Sequence, residues 1–142
     1  MENITSSEWQ VMRVIWNKKE ACAMEVIDSL SDSMDWKSAT VKTLLGRLVK
    51  KEMLHTTQLG KKFIYSPAID EKTAMSGAIQ DLFAQVCAQK AGITLKDMIE
   101  QVELTQTDLD LLQETLLNKT PVATIACNCI KGQCTCEHQG GI

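Results

Sequence analysis

The apolar period of the chain changes at Lys51, from helical spacing to short β-prone runs, and that change limits the folds open to it. Before it, Trp9, Met12, Ile15 and Trp16, broadened by Val11 and Val14, make one face of a helix from Ser6 to Lys19. Thr5 or Ser6 can cap its first turn, which places Glu8 near the positive end of the helix dipole. Ala23, Val26, Ile27 and Leu30 predict a short second helix that the Ser31-Asp32-Ser33 cluster ends. Val41, Leu44, Leu45 and Leu48 predict a third from Ser38, its cap, to Lys51. After it, Leu54 to Leu59 and Phe63 to Ser66 read as two strands around Gly60-Lys61-Lys62, and Pro67 ends the second.

Three helices followed by a hairpin with a basic turn is the order of a winged helix-turn-helix, in which the third helix enters the major groove and the turn meets the flanking backbone. Charge is placed accordingly. The chain carries a formal net charge of −3, yet residues 1–66 hold ten Lys/Arg against eight Asp/Glu, while residues 67–142 hold five against ten. Between 37 and 62 the basic residues Lys37, Lys42, Arg47, Lys50, Lys51, Lys61 and Lys62 are opposed by Glu52 alone. Such a local surface suits phosphate contact, although on charge alone a solvated helix face is the default reading.

Met75, Ala78, Ile79, Leu82, Phe83 and Val86 predict one long amphipathic helix from Asp70 to Ala91, stopped by Gly92. A second runs from Leu104 to Lys119, with Thr105 as cap, Asp108 three residues on, and Leu109, Leu112, Leu116 and Leu117 as its stripe. Two such stripes beside a domain with its own core are buried most economically in a homodimer, the other solution being to fold back on the same chain. The fold expected is mainly α with a small β-hairpin: a winged-helix DNA-binding domain at 1–68, a helical dimerisation region at 69–120 and a cysteine-rich tail at 121–142. No leader pattern and no apolar run of membrane-spanning length is present in the sequence, so a cytoplasmic protein without a membrane partner is expected.

Four of the six cysteines fall within ten residues, as Cys127-Asn128-Cys129 and Cys134-Thr135-Cys136. A cytosolic chain keeps its thiols reduced, so cysteines this close are read as metal ligands rather than disulfides. Gly132 lets the chain reverse so that the two pairs face each other. The set could hold one tetrahedral Zn(II), or several Cu(I) ions with bridging sulfurs, and the single-residue spacing inclines the choice to Cu(I). One Zn(II) and two Cu(I) leave the same net charge on four thiolates, so exchange between them has to act through geometry. Cys22 and Cys87 are read as buried small apolar residues, His138 as an exposed tail residue or substitute ligand, and His55 as a strand surface residue.

Thr5-Ser6-Ser7-Glu8-Trp9-Gln10-Val11-Met12, Trp16, Asp35-Trp36, Thr40-Val41-Lys42-Thr43-Leu44, Arg47-Leu48 and Lys50-Lys51 resemble the winged-helix repressors of penicillinase and methicillin-resistance genes. With the doubled cysteine pairs, the chain is similar to copper-responsive repressors of the CopY type. The resemblance implies a homodimer on an inverted-repeat operator upstream of copper-transport genes, repressing with Zn(II) bound and released when Cu(I), donated by a copper chaperone, displaces it from Cys127, Cys129, Cys134 and Cys136. It places DNA contacts on Ser38, Thr40, Lys42, Thr43, Arg47 and Lys50 of the third helix, and on Lys61 and Lys62 of the wing. Thr40 could instead simply pack, and Arg47 pair with a nearby acid. The penicillinase branch is induced by cleavage between Asn and Phe; Leu82-Phe83-Ala84-Gln85 has no Asn there, which argues against that route. A Zn(II)- or Cd(II)-responsive repressor and a metal storage or delivery protein remain alternatives; no catalytic set or phosphate-binding glycine loop suggests an enzyme.

Overall fold

The computed structural model describes residues 3–135. The elements are α1 (Ser6–Lys18), β1 (Ala21–Cys22), α2 (Ala23–Met34), α3 (Ser38–Lys50), β2 (Leu54–Leu59), β3 (Lys62–Pro67), α4 (Glu71–Ala84), α5 (Ala91–Gln101) and α6 (Gln106–Leu117), with a short 3-10 helix at Ala88–Lys90. The chain divides into two compact units, Met1–Ile79 and Gln80–Ile142. Among the described residues no helix is long and apolar enough to cross a membrane.

The first unit is built on the three predicted stripes. Val11, Met12 and Ile15 of α1, Val26 and Leu30 of α2, and Val41, Leu44, Leu45 and Leu48 of α3 form one core closed by Met53 and Leu54. Thr5 caps α1 in a reciprocal box: the Glu8 amide donates to Thr5 Oγ1 at 3.2 Å and the Thr5 amide donates to Glu8 Oε1 at 2.8 Å. Glu8 is itself buried. Its Oε1 also receives Lys51 Nζ at 2.6 Å, which ties the start of α1 to the end of α3. Trp16 Nε1 donates to the Ile69 carbonyl at 2.9 Å and fastens the segment after the hairpin onto α1.

Boundaries differ from the sequence reading where packing outweighs local signals. The Ser31-Asp32-Ser33 cluster does not end α2, because Met34 packs against the core and carries the helix one turn further; Asp35 then closes it at φ 53°, a left-handed conformation that Asp tolerates. Lys37, not Ser38, is the N-cap of α3, and no side chain caps it. The wing is a three-stranded antiparallel sheet in the order β1-β3-β2, because Ala21 and Cys22 pair with Tyr65 and Ile64. In the hairpin Leu59 faces Lys62, and Gly60 takes φ 64°, the left-handed position that the two-residue turn needs.

The second unit departs further. The single helix expected from Asp70 to Ala91 ends at Ala84, where Gln85 and Val86 donate to the Leu82 and Phe83 carbonyls in tightened i to i+3 bonds and Cys87 becomes extended. Gly92 is not a stop; it lies in the first turn of α5. Thr105 and Asp108 form the expected capping box at the start of α6, with the Asp108 amide donating to Thr105 Oγ1 at 3.1 Å and the Thr105 amide to Asp108 Oδ2 at 3.0 Å.

Candidate nucleic-acid interface and metal centre

α3 buries Val41, Leu44, Leu45 and Leu48, and the rotation this fixes leaves Ser38, Thr40, Lys42, Thr43, Arg47 and Lys50 on its exposed faces. Thr43 Oγ1 donates to the Ala39 carbonyl at 2.9 Å, which fixes its rotamer on that surface. Gly46 lies there too, and an added Cβ would meet nothing within 4 Å. Lys61 and Lys62 are exposed at the hairpin turn, and with Lys42 and Phe63 they line one groove of about 380 Å³. The fold thus brings helix and wing lysines to a common basic surface. Lys51 is withdrawn from it by Glu8 and by the Asn3 carbonyl, which its Nζ reaches at 2.9 Å. His55 is an exposed strand residue.

The second cluster is made of thiols. The tail turns at Ile130–Gln133, where the Gln133 amide donates to the Ile130 carbonyl at 3.1 Å, the Ile130 amide donates to Gln133 Oε1 at 2.8 Å, and Gly132 adopts φ 92°. This reversal returns Cys134 to Cys127, sulfur to sulfur at 3.4 Å. The Cys129 amide points at Cys127 Sγ at 3.4 Å, a contact that the one-residue spacing permits. Cys87 Sγ lies 3.5 Å from Cys127 Sγ, and the sulfurs of Cys87, Cys127, Cys129 and Cys134 all fall within 4.8 Å of one another. Cys136 and His138 lie outside the described residues.

These four sulfurs fit a thiophilic ion. Tetrahedral Zn(II) with Zn–S of about 2.3 Å sets its sulfurs about 3.8 Å apart. The nearest pairs, at 3.4 and 3.5 Å, approach that value, and all four sulfurs lie within 4.8 Å of one another. The sulfur of Cys127, then partial loss of water, then the sulfurs of Cys134 and Cys87 push the Cys129 thiol well above the ordinary thiol range. A cation is what lets such a crowded set ionise together.

Cys22 is buried, as expected of a small apolar residue; Cys87 is buried too, but its sulfur faces the tail. The sequence signal for it was slight, a fifth cysteine forty residues before the doubled pairs, next to Val86, the last residue of the predicted stripe.

Residues 4–118 match the Penicillinase repressor family, whose members are DNA-binding transcriptional repressors and not enzymes. The chain is 42% identical over 138 residues to an uncharacterized 16.5 kDa protein of Latilactobacillus sakei, covering 96% of this chain and 94% of that one. It is 29% identical over 116 residues to the methicillin resistance regulatory protein MecI of Staphylococcus aureus, covering 82% and 94%. A solved CopR repressor structure is 49% identical and covers 49% of this chain and 100% of its own, with a TM-score of 0.42. With a matched region of this extent, the chain belongs to the penicillinase repressor family.

Proposed function

We propose that the protein is a copper-responsive repressor acting in the cytoplasm. It binds an inverted-repeat operator of copper-homeostasis genes as a homodimer with Zn(II) bound, and leaves the DNA when Cu(I), handed over by a copper chaperone, replaces Zn(II) at the tail. The observation that carries this reading is the convergence of four cysteine sulfurs in a chain of a repressor family. Bound metal would supply the positive charge that holds several thiolates together and so fixes the path of the tail. Cys127, Cys129, Cys134 and Cys136 are the residues assigned to it from the tail.

Residues 1–68 act as the DNA reader. Ser38, Thr40, Lys42, Thr43, Arg47 and Lys50 face the major groove or its phosphates, and Lys61 and Lys62 neutralise phosphates beside it. Residues 69–120 form the dimer. In support, Ile93, Leu95, Met98, Ile99, Leu116 and Leu117 are exposed in the single chain, and Cys87 is the one buried apolar residue among the described residues of the second unit. Helices that bury so little require a partner surface. Residues 121–142 form the sensor.

Alanine substitutions test the reader. Arg47→Ala is expected to weaken operator binding by roughly 10- to 100-fold, and Lys61→Ala to weaken all sequences alike and lower the salt slope by about one. Fluorescence anisotropy over a salt series measures both. Unchanged affinity in the two variants would remove the assignment.

A further inference from the structure

We infer that Cys87 is a zinc ligand that joins Cys127, Cys129 and Cys134 of the tail, so that zinc fastens the tail to the junction between α4 and α5. This rests on the metal-responsive reading above and adds to its site a ligand from outside the tail. Three independent features converge on it. The Cys87 sulfur stands within the four-sulfur cluster, 3.5 Å from that of Cys127. Its backbone leaves the helix at this point, extended at φ −60° and ψ 130°, between the end of α4 and the 3-10 helix. The adjoining residues then grip the tail on either side of Cys127: the Ala88 amide donates to Asn128 Oδ1 at 2.7 Å, and Gln89 Nε2 donates to the Ile125 carbonyl at 2.9 Å.

These two hydrogen bonds do not depend on metal, and they hold Cys127 opposite Cys87. Zinc entering this preformed arrangement has little chain ordering to oppose it, which favours Cys87 as a ligand. The end of α4 at Ala84 then has a use. A helix continued to Ala91 would keep residue 87 in helical conformation instead of presenting it, extended, to the tail.

The ligand set is counted with Co(II), which accepts the same tetrahedral thiolate site and shows a sulfur-to-metal charge-transfer band whose intensity follows the number of thiolates. The full chain is loaded anaerobically as wild type, Cys87→Ser and Cys22→Ser, without DNA. Cys87→Ser is expected to lose about a quarter of the band and to bind Zn(II) on the order of 100-fold more weakly against a chromophoric chelator. Cys22→Ser, altered in the first unit and not among the clustered sulfurs, is expected to keep the full band. A full band with unchanged zinc affinity in Cys87→Ser, or an equal loss in Cys22→Ser, overturns the assignment. Failure of the repressor reading would show separately, as wild-type protein that does not bind operator.

Discussion

Cys127→Ser is expected to abolish the metal response altogether, and to do so more completely than any other single change in the tail. Its sulfur touches those of Cys87 and Cys134 at 3.5 and 3.4 Å and receives the Cys129 amide, so it lies at the centre of the cluster. A serine there removes a thiolate from any tetrahedral zinc set and also from a Cu(I) cluster on the tail. Zinc affinity should fall on the order of 100-fold or more, because a structural zinc site divides its binding free energy among four strong ligands. Operator affinity of the variant should no longer differ between zinc and chelator. Isothermal titration gives the first quantity and anisotropy the second; a variant that still responds to zinc would place the sensor elsewhere.

Glu8→Gln should produce the largest loss of stability. Glu8 is 0% exposed, its Oε1 binds Lys51 Nζ and the Thr5 amide, and its Oε2 is buried with no hydrogen-bond partner among the described residues. Removing the charge leaves Lys51 without its counter-ion and weakens the α1 cap. Breaking such a pair costs about 3 kcal/mol, near the lower end for buried ion pairs because Lys51 is partly exposed. The first unit should melt roughly 10–20 °C lower. Tryptophan fluorescence reports this directly, since Trp9 and Trp16 lie 5.5 Å apart on α1.

The same pair sets a pH dependence. Burial pushes the Glu8 carboxyl up, but hydrogen bonds from Lys51 and Thr5 and the Lys51 charge outweigh it, and the net position is below the ordinary 4.5. A carboxyl held lower in the folded than in the unfolded state contributes its full stability above the unfolded value and loses it as pH falls through the folded one. The gap between wild type and Glu8→Gln should therefore be constant near neutrality and narrow below about pH 4.5. A gap that stays constant into acid would contradict the role given to the pair.

The first unit was largely legible in the sequence because each helix stripe also forms the core: Val11, Met12 and Ile15, or Val41, Leu44 and Leu48, are both periodic and buried. β1 was not, since two residues carry no period and Ala21 and Cys22 become a strand only through Tyr65 and Ile64. In the second unit, treating Gly92 as a helix stop concealed α5, although Leu95, Met98, Ile99 and Val102 follow helical spacing. The end of α4 was hidden for another reason. Val86 continues the apolar stripe, yet α4 ends at Ala84, and Cys87 beyond it meets a tail forty residues away. Spacing singled out Cys127, Cys129 and Cys134, whose sulfurs converge; the approach of Cys87 to them required the fold. Lys51 shows the converse, a lysine counted with the basic surface that Glu8 engages in a half-buried ion pair.

The sensor and the DNA reader are joined most directly by an anisotropy titration of the full chain on an inverted-repeat duplex, first in Zn(II) and then with stepwise Cu(I) under anaerobic conditions. Copper-responsive repression predicts tight binding in Zn(II), release at a defined Cu(I) stoichiometry, and no release endpoint when Cys127, Cys129, Cys134 and Cys136 are all replaced by Ser. Binding that ignores Cu(I) and changes with Zn(II) or Cd(II) would contradict it and leave a repressor that senses those ions instead.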